Sequence, residues 1–185
     1  MRASKLLQLG ILAAPLIAGT STALAAQTSS GTLNVVLQNG SGLQMVLNSD
    51  SSGVTLGNAG TSSATMGFGT VGAYGTLATN VTRTNQTNSF TISTFFDANV
   101  SESGLSSSGY TLAASLSSTA PAGLTVQIDS VTLSTTSATI STSGAYDTNV
   151  RHTLSVVVST AASGSGGPTT GAQLTSTINL VATSN

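Results

Sequence analysis

The stretch Phe90-Thr-Ile-Ser-Thr-Phe-Phe-Asp-Ala-Asn-Val100 decides the fold class. Phe90, Ile92, Phe96, Ala98 and Val100 share one parity, while Thr91, Ser93, Asp97 and Asn99 take the other. A helix would repeat its apolar residues at three and four positions, so this period of two specifies a strand with one buried face. Working outward, Tyr110, Leu112, Ala114 and Leu116 repeat the pattern, as do Leu154, Val156 and Val158. Leu174, Ile178 and Leu180 carry it to the C-terminus, after the loop Ser163-Gly-Ser-Gly-Gly-Pro-Thr-Thr-Gly171.

Toward the N-terminus, Leu33, Val35 and Leu37 alternate, then Asn39-Gly40-Ser41-Gly42 intervenes, then Leu43, Met45 and Leu47 alternate again. Asn-Gly adopts positive φ at little cost, which predicts a hairpin joining these two strands. A loop over residues 48–53 leads to a short strand at residues 54–56. Phe68-Gly-Thr-Val71 is a second short segment, with Gly67, Gly69, Gly72 and Gly75 predicting a bulge or bend. Within Leu124-Thr-Val-Gln-Ile-Asp-Ser-Val-Thr-Leu133 the apolar parity changes, so a turn or bulge at Asp129-Ser130 is required. Residues 138–140 add another strand. The expectation is an all-β, antiparallel sandwich of roughly nine to eleven strands, with no helix beyond the leader.

That leader is residues 1–25. Arg2 and Lys5 precede a mostly apolar run over residues 6–18, and Ala23-Leu24-Ala25 supplies small residues at a cleavage site. This is the pattern of a secretory signal peptide, and its apolar run is well short of the roughly 20 residues a membrane-spanning helix needs. The mature chain is expected to start at Ala26 and to form one domain, 26–185, with residues 26–66 as a hairpin region that is semi-independent. The expected location is the extracellular surface, the chain being released or held there non-covalently.

Once the leader is removed the chain holds two arginines, Arg83 and Arg151, against Asp50, Asp97, Glu102, Asp129 and Asp147. Two isolated cations cannot neutralise a row of phosphates, so nucleic acid is excluded as a partner. There is no cysteine, and stability must therefore come from a core rather than from disulfides.

The chemically densest stretch is Gly144-Ala-Tyr-Asp-Thr-Asn-Val-Arg-His-Thr153, which holds the sole histidine, His152. A hydrolytic triad would need a serine, His152 as base and an acid such as Asp147 or Asp129. No Gly-x-Ser-x-Gly elbow exists. Residues 144–149 read instead as a turn, with Arg151 pointing outward and His152 at the margin of a strand that opens at Thr153. No catalytic, cofactor or transition-metal residue is assigned. Oxygen ligands for calcium are conceivable at Asp50 with Asn48, or at Asp97 with Glu102. Asn39, Asn80, Asn85 and Asn99 open Asn-x-Ser/Thr triplets, and an exposed Tyr74 or Tyr146 would be a stacking surface for a glycan.

Charged residues make up 5% of the chain, where a soluble design usually places roughly 25–35% on its surface. Strand edges are normally defended by lysine or proline, and past the leader there is no lysine and only Pro121 and Pro168. Association through strand edges is therefore weakly opposed.

A strand-only, Ser/Thr/Gly-rich chain behind a leader, with Gly67-Phe-Gly-Thr-Val71 and the ending Leu174-Thr-Ser-Thr-Ile-Asn-Leu-Val-Ala182, resembles the secreted bacterial pilin-like proteins, including the spore coat U type. The resemblance implies a pilin-like or immunoglobulin-like sandwich and a structural role in a surface fibre or coat; from the residues themselves, neither enzymatic activity nor a cofactor is expected. Its partners would be further copies or other surface proteins. The alternative is an adhesion or glycan-binding module.

Overall fold

The computed structural model describes residues 27–35, 42–159 and 173–185. It is all-β: eleven strands in two sheets enclose one hydrophobic cluster, and the described residues contain no helix. The strands are β1 (Gln27–Val35), β2 (Leu43–Asn48), β3 (Ser63–Val71), β4 (Thr82–Asn85), β5 (Ser89–Glu102), β6 (Tyr110–Leu116), β7 (Leu124–Ile128), β8 (Val131–Thr132), β9 (Ala138–Gly144), β10 (Asn149–Ser159) and β11 (Gln173–Ser184). One sheet has the order β3-β1-β11-β6-β9 and the other β2-β5-β10-β7-β8, with β4 also bonded to β5.

The opening stretch forms the 14-residue strand β5, whose residues 90–100 are buried at every second position. Phe90, Ile92, Phe96, Ala98 and Val100 meet Tyr110, Leu112, Leu154, Val156 and Ile178 in the shared core. Thr94 shares that parity and is buried without an aliphatic side chain. The reason is local. β2 pairs with residues 97–102 of β5 and β4 with residues 90–93, leaving a break along one edge. Thr94 Oγ1 donates to Asn80 O (2.9 Å) and accepts from Val54 N (3.0 Å), while Asn80 Nδ2 donates to Gly53 O (2.8 Å). Two loops thus plug the break, and Gly53 is required there because a Cβ would stand 2.0 Å from Phe95 O.

Two expectations for the N-terminal half are overturned. β1 and β2 do not form a hairpin. β1 runs parallel to β11 and antiparallel to β3, whereas β2 joins the opposite sheet against β5. The register sets Leu33 beside Ile178 and Val35 beside Leu180, so apolar positions coincide along a long non-local ladder that outweighs one favourable turn. The pair β1/β11 is also the one parallel pairing in the described strands. The turn residues Asn39 and Gly40 lie outside the described residues, as do the leader, its cleavage site and the Gly-rich loop of residues 163–171. Residues 54–56 are not a strand either: Val54 and Leu56 are buried, but their N–H groups bond to the Thr94 and Ser49 side chains.

Other expectations stand. A bulge in β3 displaces its register against β1 between residues 67 and 70, with Gly69 at φ +68°. The turn at Asp129-Ser130 joins β7 to β8, both residues having positive φ, as a tight two-residue hairpin demands. Among the described residues no helix is long and apolar enough to cross a membrane.

Candidate functional site

β10 opens at Asn149 rather than Thr153, because its ladder with β5 continues as far as Asn149 opposite Asn99. His152 is consequently not at a strand margin. It is an interior residue, 2% exposed, opposite Phe96, with the two ring centroids 5.5 Å apart. The inward parity anticipated for it is correct, and so is the outward parity of the exposed Arg151.

Asp129 is the acid that reaches it. β7 ends at Ile128, and the Asp129 carboxylate continues the sheet edge in place of a further strand residue. Oδ1 accepts from Thr153 N (2.7 Å) and Oδ2 lies 2.6 Å from His152 Nδ1, while Asp129 N donates to Thr153 O (2.9 Å). A carboxylate oxygen accepts, so His152 Nδ1 is the donor in this contact. The other nitrogen, Nε2, is buried and has no hydrogen-bond partner among the described residues. A nucleophilic triad requires a hydroxyl at that position. Here the ring edge faces the core instead. Asp147, the other acid considered, occupies the β9–β10 turn at φ +57° with its N–H on Val100 O.

The outer face of β2, β5 and β10 carries a closed polar network. Arg151 clamps Asp50 through Nε to Oδ2 (2.7 Å) and Nη2 to Oδ1 (2.6 Å), and its guanidinium carbon stands 4.2 Å from the centroid of the Phe95 ring. That clamp, aided by Ser52 N, holds the Asp50 carboxyl below its ordinary value and raises the Arg151 guanidinium. Asp97, in register with both Arg151 and Asn48, is pushed up by burial and then by the Asp50 charge. Asn48 and Asn99 both donate to Asn149 Oδ1, at 3.0 and 3.1 Å.

This network bears on the cation and glycan positions read from the sequence. Both Asp50 oxygens are engaged by Arg151. Asp97 and Glu102 stand five residues apart on one strand, about 16 Å at the usual rise, and Glu102 Oε2 accepts from Leu105 N. Among the described residues no three His, Asp or Glu side chains converge on a metal position. The amides of Asn80, Asn85 and Asn99 each donate within the fold, to Gly53 O, Ala73 O and Asn149 Oδ1.

Tyr146 is half-buried against Tyr110, its hydroxyl donating to Gly109 O (2.8 Å), and is not an exposed platform. Tyr74 is exposed at 74%. Its loop is tied to β4 by Arg83, whose guanidinium donates to Gly72 O and Gly75 O, and by Asn85 at Ala73 O. Sequence reasoning missed this bracket, although an arginine in a four-residue polar strand is a hint that it braces a neighbour. No family model and no curated protein matches this chain.

Proposed function

We propose that the protein is an exported, non-catalytic structural subunit of a surface fibre, pilus or coat, a pilin-like sandwich that assembles through its strand edges. The observation that carries this reading is the position of β1. It is interposed between β3 and β11, yet its chain continues into the opposite sheet, and only residues 36–42 connect it to β2. Main-chain bonds and alternate side chains hold a strand in such a slot, and the same segment of a neighbouring copy presents identical groups. Absence of lysine at the edges leaves exchange weakly opposed.

The test exploits the lack of cysteine. Asn34 and Ser63 are register partners in β1 and β3, so Asn34→Cys with Ser63→Cys forms an intramolecular disulfide when β1 fills its own slot. Exchange instead gives a covalent ladder of multimers on non-reducing gels, increasing with protein concentration during assembly. Monomer bands at every concentration refute assembly through β1.

A second reading has its own observation, the braced and exposed Tyr74. It makes the protein an adhesion module that stacks Tyr74 on a sugar, and predicts glycan binding that is lost in Tyr74→Ala while the chain remains monomeric.

A further inference from the structure

The two sheets divide the charge unequally. None of β3, β1, β11, β6 and β9 contains an Asp, Glu, Lys, Arg or His. Arg83, Asp97, Glu102, Arg151 and His152 all lie in strands of the other sheet. Asp50 and Asp129 are bonded to β10 of that sheet, and Asp147 is in the turn between the sheets. The uncharged sheet also has no outward aromatic: its strands contain only Phe68 and Tyr110, both buried.

On this face Thr65 of β3 and Thr177 of β11 lie in one row on either side of β1, and Val181, Ala113 and Thr139 lie in another. We propose that the outer face of the β3-β1-β11-β6-β9 sheet is a stacking surface for a second copy of this chain. Three arguments select that occupant. Hydroxyl and amide groups both donate and accept, so a face built from them is complementary to itself under a two-fold axis. Short side chains let two sheets approach to the usual spacing of about 10 Å, and no ion has to be desolvated on either side. Five strands about 4.8 Å apart and seven to twelve residues long present on the order of 600–900 Å², and a stable interface uses roughly 800 Å² per partner. A glycan would find no aromatic here, and a nucleic acid no cation.

Stacking of faces is separate from exchange of β1, and the two fail separately. The experiment is sedimentation equilibrium of the full chain from micromolar to millimolar concentration, with Val181→Lys and Thr183→Lys on the uncharged face and Val157→Lys on the opposite sheet as control. Thr183 is already exposed, so a lysine there leaves the core untouched. The wild type and Val157→Lys are expected to dimerise alike, while each face variant weakens dimerisation by at least about tenfold, since symmetry brings two lysines into one interface. In the background of Asn34→Cys with Ser63→Cys, the face variants keep the same pattern of covalent bands. A wild type that stays monomeric overturns the proposal, as does an equal effect of Val157→Lys or no effect of Thr183→Lys. So does a monomer that is retained on cellulose through this face and released by Thr183→Lys, because the occupant is then a glycan.

Discussion

Replacing Asp129 by alanine removes an acceptor from two donors at once. The His152 Nδ1–H is left in a site 2% exposed, where Nε2 of the same ring already has no partner among the described residues. A buried donor stranded in this way costs about 1–3 kcal/mol. The half-buried Thr153 N–H loses its bond to Oδ1 as well, at roughly 0.5–1.5 kcal/mol. Alanine must also hold φ +49°, which aspartate tolerates better. The expected loss is therefore about 3 kcal/mol, a large share of a typical 5–15 kcal/mol total. Urea titration followed by circular dichroism would show it as a midpoint lowered by more than about 1 M. The informative control is His152→Phe, which keeps an aromatic ring against Phe96 and removes both buried nitrogens. In that background Asp129→Ala should cost about 1–2 kcal/mol less, since no imidazole is stranded. An equal cost in both backgrounds, or a loss under 0.5 kcal/mol in the wild type, refutes the assignment of Asp129 as the partner that makes a buried histidine tolerable.

The carboxyl groups of the outer network should give opposite pH responses. Asp50 is held below its ordinary 3.8 by Arg151, so its contribution is present above that value and disappears as pH falls through its lower folded value. Asp97 is raised by burial, so it favours the folded state below 3.8 and loses that contribution as pH rises through its higher folded value. In thermal melts Asp50→Asn should be less stable than wild type at pH 7 and Asp97→Asn more stable, both differences shrinking toward pH 2. Parallel curves for the three proteins would contradict the pairing. Gly144→Ala should destabilise by about 1–3 kcal/mol, because its Cβ would stand 2.2 Å from the Tyr110 ring, and an unchanged denaturation midpoint would mean the ring is not packed there.

Strand identity was legible because it is a local property. The parity of residues 90–100, 110–116 and 154–158 follows from side chains pointing alternately to the two faces, and burial of one face enforces it. The turn at Asp129-Ser130 was legible for the same kind of reason, since a parity change can be accommodated only by a turn or bulge. The absence of charge from the segments that became the β3-β1-β11-β6-β9 sheet was written in the sequence too, though not that these five segments would lie side by side. Strand partners are decided between residues far apart in the chain. The Asn39-Gly40 signal favours a hairpin, but eight register pairs between β1 and β11 align Leu33 and Val35 with Ile178 and Leu180, and that non-local match took β1 to one sheet and left β2 to the other. The position of His152 depended on the same long-range pairing. Only when β10 zips back along β5 to Asn149 does His152 face Phe96 inside the core, and only the β7–β8 turn, packed against β10, brings Asp129 within 2.6 Å of it. Alternation dictates which face a side chain takes, whereas its neighbour on that face is chosen by the tertiary fold.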